Sequence, residues 1–155
     1  WFSLCGYVKD YDSILIAFIK GIELWNKIQK HNLQLSDMPK TWILDLDGTI
    51  LKHNGHLTKG GDMVLSDVKK FFKINIKIND YVIIMTSRKE KFKKTTVDFL
   101  NKNKIRYNKI IFSIPMGERI IINDTKPKGM ITAISIPINR NEGLSSIKIN
   151  FNKNI

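Results

Sequence analysis

Two apolar runs that each break off in polar residues constrain this chain more than any other feature: TWILDLD from Thr41 to Asp47 and YVIIMT from Tyr81 to Thr86. Near-continuous apolar strands are what a parallel sheet covered on both faces requires. Lys109 to Phe112 reads as a third strand, Arg119 to Ile122 as a fourth and Ala133 to Ile138 as a fifth. Between them, helical spacing of apolar residues predicts helices over Asp62 to Phe72 and Lys89 to Asn101. Strands alternating with helices imply an α/β fold, a doubly wound parallel sheet with helices on both faces. In such sheets ligands bind beyond the carboxyl ends of the strands, and that is where Asp45, Asp47, Thr86, Ser87, Asn123 and Asp124 fall.

Ahead of this core, Leu15, Phe18, Ile22, Trp25 and Ile28 recur at helical spacing and predict one helix over Tyr11 to Asn32, with Gln34 to Lys40 as a connection. The expected organisation is a helical extension over residues 1–40, a core over 41–144 and a polar, fraying tail over 145–155. The length of 155 residues suits one core. No apolar run reaches the roughly 18 to 20 residues of a membrane span, no targeting peptide is expected, and the leading Trp1 suggests a chain cut from a longer one. The one cysteine, Cys5, excludes an internal disulfide within this chain and fits a cytoplasmic setting; it reads as a small apolar residue.

The formal charge of +12 raises the question of nucleic acid, but 22 of the 26 basic residues are lysine. Arginine is the residue of bidentate phosphate and base recognition, so a lysine surface is the weaker sign of specific binding and reads first as a solvated face.

The chemistry concentrates in Asp45-Leu-Asp-Gly-Thr49. Residues two apart on an extended strand point the same way, so both carboxylates can reach one site, and Gly48 allows a sharp turn behind them. One carboxylate can attack phosphorus while the other manages the proton on the leaving oxygen. The competing reading is a pair of acids in a turn or cap. At this point the sequence resembles the haloacid dehalogenase superfamily, whose first motif is an apolar strand followed by DxDGT. The later runs fall in the family's order: VIIMT ending at Thr86 as the second motif, and IIIND ending at Asp124 as the fourth, with Asn123 in place of a first acid.

The resemblance implies a magnesium-dependent phosphatase in which Asp45 is the nucleophile and a metal ligand, Asp47 the general acid and base, and Thr86 a phosphate ligand extended by Ser87. It further implies the Leu46 carbonyl and Asp124 as metal ligands. The family's third-motif cation is missing from its usual place; Lys126 is the preferred substitute, ahead of Arg88, with Lys128 also near. The intervals leave no room for a large cap domain, so the site should be open and the leading helix a lid, a homo-oligomer contact or simply packed on its own domain. His53 and His56, just after the first motif, are candidate substrate contacts against a plain loop surface. The stretch from Pro115 to Leu144, with GERIIINDTKPKG and INRNEGL, also resembles small phosphatases of bacterial capsule and surface-sugar biosynthesis, which implies a small phosphorylated metabolite such as a sugar or amino-alcohol phosphate. Two alternatives remain at this stage: a nucleic-acid end phosphatase, and a non-catalytic binding domain of the same fold.

Overall fold

The computed structural model describes residues 13–20, 31–126 and 130–153. The chain divides into two compact units, Trp1–His31 and Asn32–Ile155. Of the first, residues 13–20 form a helix, α1. The expected helix over Tyr11 to Asn32 is therefore present in part; residues 21–30 lie outside the described residues, as does Cys5, and by His31 the chain is already extended. Among the described residues no helix is long and apolar enough to cross a membrane.

The second unit holds five strands and two helices. Strand β1 (His31–Ser36) pairs with β5 (Ile147–Asn152), so neither the expected connection over Gln34 to Lys40 nor the expected fraying tail describes these segments. Ile147 and Ile149 pack against the core, which holds the tail in place. Strands β2 (Thr41–Asp45), β3 (Tyr81–Met85) and β4 (Lys109–Ile111) form a parallel sheet in the order β2-β3-β4. Trp42 lies opposite Val82 and Leu44 opposite Ile84, so these four side chains share one face. Val82 and Ile84 are fully buried there, with Leu46, Ile50, Leu51, Val68 and Leu100.

Helix α2 (Val68–Asn75) buries Val68, Phe71 and Phe72, three and four residues apart, and Phe71 meets Trp42 edge-on with ring centres 5.7 Å apart. Helix α3 (Lys93–Lys102) buries Thr96 and Leu100 one turn apart and follows a short 3-10 turn, Glu90–Phe92. Helix α2 starts six residues later than the expected Asp62. The chain before it is pinned in extended form, with Lys52 donating to the Met63 carbonyl and Leu65 to the Ile50 carbonyl. These bonds make a small antiparallel flap immediately after the first motif, closed by the pairing of Leu51 with Val64.

Two expected strands are absent. Arg119 to Ile122 and Ala133 to Ile138 have no regular structure, and Ile120 and Ile122 are 81% and 92% exposed. Apolar content alone proposed them; a strand also needs a partner edge, and no ladder bonds reach these residues. Among the described residues the sheet thus has three strands, and Ile43 on its second face is 42% exposed.

The amino end of the sheet is closed by Asp80. Its carboxylate accepts from the Trp42 indole N–H (2.8 Å) and from the backbone N–H groups of Lys40 and Lys77 (2.9 Å each). These donors hold the carboxyl below the usual aspartate range although its burial pushes the other way. Arg106 donates to the carbonyls of Lys77, Ile78 and Asp80 around the same knot.

Candidate active site

At the opposite end of β2 the chain turns sharply. Gly48 has φ 94°, a conformation that favours glycine, and a Cβ on it would stand 3.0 Å from Cγ of Arg140. The Leu46 carbonyl accepts from the N–H groups of both Ile50 and Leu51, at 3.0 and 2.9 Å. Leu46, Ile50 and Leu51 are all fully buried, so the turn is anchored in the core while Asp45 and Asp47 stand at its polar side. Asp45 ends β2 and Asp47 follows it by two residues, near enough for its charge to act on Asp45.

Their surroundings differ sharply. Asp47 is gripped by Arg88: Nε donates to Oδ2 at 2.8 Å and Nη2 to Oδ1 at 2.7 Å. The Thr86 hydroxyl donates to the same Oδ2 at 3.3 Å. Among the described residues Asp45 has no such partner. It accepts from the Thr49 hydroxyl at 3.2 Å, and its carboxyl is pushed above the usual aspartate range, first by crowding that strips water from it on the protein side and also by the charge of Asp47. Arg119 offsets part of that rise through its charge, while its guanidinium donates to the carbonyls of Pro115 (3.0 Å) and Gly117.

Arg88 was expected as a reserve phosphate ligand, but its placement is different. Its side chain is 1% exposed. Besides Asp47 it reaches Asp62, with Nη1 to Oδ2 and Nη2 to Oδ1 both at 2.7 Å, and Nη1 donates to the Thr96 hydroxyl at 2.9 Å. A guanidinium has five N–H donors, and here five contacts use them. A phosphate could gain Arg88 only by displacing a carboxylate. The guanidinium's three partners come from separate elements: Asp47 after β2, Asp62 beside the flap and Thr96 on α3.

Thr86, 1% exposed, also accepts from the Arg88 backbone N–H at 3.1 Å, so its hydroxyl is fixed beside Asp47. Ser87 follows it, half-buried. His56 is brought to the site. Its Nδ1 lies 3.7 Å from Oδ1 of Asp47, and the ring sits edge-on to Phe92 with a ring-centre separation of 4.7 Å. Burial, and then the Arg88 charge, push the imidazole below its usual pKa. Nδ1 of His53 and Nδ1 of His56 are buried without a hydrogen-bond partner among the described residues.

The later candidates make local contacts. Asp124 pairs with Lys126 at 3.2 Å, the two side chains 65% and 50% exposed, and its carbonyl accepts from the Thr132 hydroxyl. Lys126 is therefore engaged with Asp124, and Lys128 lies outside the described residues. Sequence reasoning missed the turn over residues 139–144, which reaches the site. Asn141 donates from its backbone to the Gly48 carbonyl (2.8 Å) and accepts from the His53 N–H through its side chain (2.7 Å). The only signal was local: Asn and Gly in NRNEGL, at residues that take φ 67° and 72°.

Magnesium takes oxygen ligands, commonly one or two carboxylates with water and substrate phosphate completing the octahedron. Of the two acids, Asp45 is the carboxylate with no cation in direct contact among the described residues. Both Asp47 oxygens belong to Arg88, both backbone N–H groups of the turn occupy the Leu46 carbonyl, and among the described residues no three His, Cys, Asp or Glu side chains gather as a metal site. Of the residues expected to hold magnesium, Asp45 accepts from the Thr49 hydroxyl, the Leu46 carbonyl accepts from two N–H groups of the turn, and Asp124 pairs with Lys126. Compared with protein-family models, with curated proteins and with solved structures, the chain matches none.

Proposed function

We propose that this chain is a phosphomonoester hydrolase that works through an aspartyl-phosphate on Asp45, in the manner of the haloacid dehalogenase superfamily, and that its three parallel strands belong to a doubly wound sheet. The observation that carries the reading is the unlike treatment of two carboxylates two residues apart at the carboxyl end of a parallel strand. Where environments separate a pair of acids, their roles separate too.

Asp45 is the acid suited to attack. Among the described residues no guanidinium or ammonium group is bonded to it, and the Thr49 hydroxyl orients it. In the first step an Asp45 oxygen forms a bond to phosphorus as the bond to the leaving oxygen breaks, and Asp47 gives that oxygen its proton. In the second, water forms a bond to phosphorus and passes a proton to Asp47 as the aspartyl bond breaks, releasing phosphate and regenerating both acids. Arg88 and Thr86 hold Asp47 where it serves both steps. Magnesium, held in part by Asp45, would neutralise charge on the phosphoryl oxygens.

For the substrate we favour a small phosphorylated metabolite such as a sugar phosphate. The similarity of GERIIINDTKPKG and INRNEGL to surface-sugar phosphatases supports this, and so does the Arg140 side chain, which crosses Gly48 beside the acids and has no hydrogen bond or ion pair among the described residues.

The test is phosphate release from a panel of metabolite phosphates and 3′-phosphorylated oligonucleotides, with magnesium and with chelator. Turnover that needs magnesium and falls at least about 10³-fold in Asp45→Asn is expected. An Asp45→Asn protein as active as the wild type would overturn the reading, and preference for the oligonucleotides would replace the metabolite.

A further inference from the structure

We propose that Asp62 is a positioning residue for phosphoryl transfer: by sharing the Arg88 guanidinium with Asp47, it fixes the orientation in which Asp47 meets the leaving group. The inference rests on the hydrolase reading above and deepens it.

The geometry is that of a two-sided clamp. Nη2 of Arg88 bridges the two acids, 2.7 Å from Oδ1 of each. Nε then closes on Oδ2 of Asp47 and Nη1 on Oδ2 of Asp62, so each carboxylate is held at two points by a different edge of one planar group. With Asp47 alone, the guanidinium would be anchored along one edge and free to tilt. Asp62 and the Thr96 hydroxyl remove that freedom. The side chains of Arg88, Asp62 and Asp47 are 1%, 9% and 14% exposed, so little water is present to replace a lost contact.

Two acids flank one guanidinium here in a buried cluster. Such a cluster is costly as mere packing, because replacing it with apolar groups is often neutral or stabilising. Orientation of Asp47 accounts for it. Removing the negative charge of Asp62 while keeping its size also puts an amide NH2 against a guanidinium N–H, donor against donor. Arg88 must then re-aim, and Asp47 moves with it.

An ester with a poor leaving group needs the proton from Asp47; p-nitrophenyl phosphate, whose phenolate departs unprotonated, does not. In Asp62→Asn, kcat/KM for the best alkyl phosphate of the panel should fall about 10- to 100-fold, within the range of a general acid's contribution. For p-nitrophenyl phosphate it should fall less than about 5-fold. Asp62→Glu, which keeps the charge, should recover part of the alkyl activity. Arg88→Lys offers a second route, since an ammonium cannot grip both acids at two points, and the same split between esters is expected. Equal losses on both esters, or none on either, in both Asp62→Asn and Arg88→Lys would overturn the proposal. Failure of the hydrolase reading is distinguishable, because it would show as an unaffected Asp45→Asn protein.

Discussion

The two ends of the β2–β3 pair each present an aspartate, and the protein treats them oppositely. At the amino end, Asp80 is buried and receives three N–H donors, which hold its carboxyl below the ordinary range. At the carboxyl end, Asp45 has one hydroxyl contact and a neighbouring negative charge, and its carboxyl is pushed up. Same side chain, same strands, opposite sign: at one end ionisation favours folding, and at the other it opposes folding.

The sharpest way to break this comparison is to neutralise each acid in turn. Asp45→Asn should abolish turnover by at least about 10³-fold while leaving the melting temperature equal or higher. The sign follows from the raised carboxyl. Below the unfolded pKa the group is protonated in both states and costs nothing; as pH rises toward the folded value, ionisation weakens the fold, and the amide removes that penalty. A melting temperature that falls would show Asp45 to be structural.

Asp80→Ala should do the reverse, costing about 3 kcal/mol in urea unfolding because three donors lose a shared acceptor, with kcat per folded molecule unchanged. The stability Asp80 confers is present above about pH 3.9 and is lost as pH falls through its lower folded value, so acid unfolding of the wild type should be steeper than that of Asp80→Asn.

Smaller in effect, Gly143→Ala tests whether the turn over residues 139–144 belongs with the reactive end. Gly143 has φ 72°, and a Cβ there would fall 2.2 Å from the Ser66 carbonyl oxygen. A loss of about 1 to 2 kcal/mol is expected, with a rise in KM that exceeds any change in kcat. The smallest expected effect is that of Arg119→Gln. Its charge lowers the Asp45 carboxyl, so the acid limb of the rate profile, set by ionisation of Asp45, should move to higher pH.

How much of this was legible differs from element to element. Strands β2, β3 and β4 were readable almost to the residue because buried parallel strands are written as unbroken apolar runs, and Asp45 with Asp47 because a two-residue spacing is local. The same rule misled at Arg119 to Ile122, where apolar residues do not pair. Strands β1 and β5 were missed although IKINFN alternates apolar with polar, the pattern of a half-covered strand. The Arg88 clamp could not be read. Its acids stand 41 and 26 residues away, and nothing in the chain's periodicity links Asp62 or Thr96 to the first motif. Spacing reports which face a residue occupies, whereas long-range pairing depends on how faces meet.

The saturation of Arg88 bears on how this protein tolerates change. In a chain with 22 lysines and 4 arginines, the arginines are the exception, and Arg88, Arg106 and Arg119 are used for what an ammonium lacks. Arg88 forks between two acids, Arg106 spans three carbonyls, Arg119 two, and the Arg140 stem crosses Gly48. Lysine in place of Arg88, Arg106 or Arg119 therefore removes a forked contact around which the fold is built.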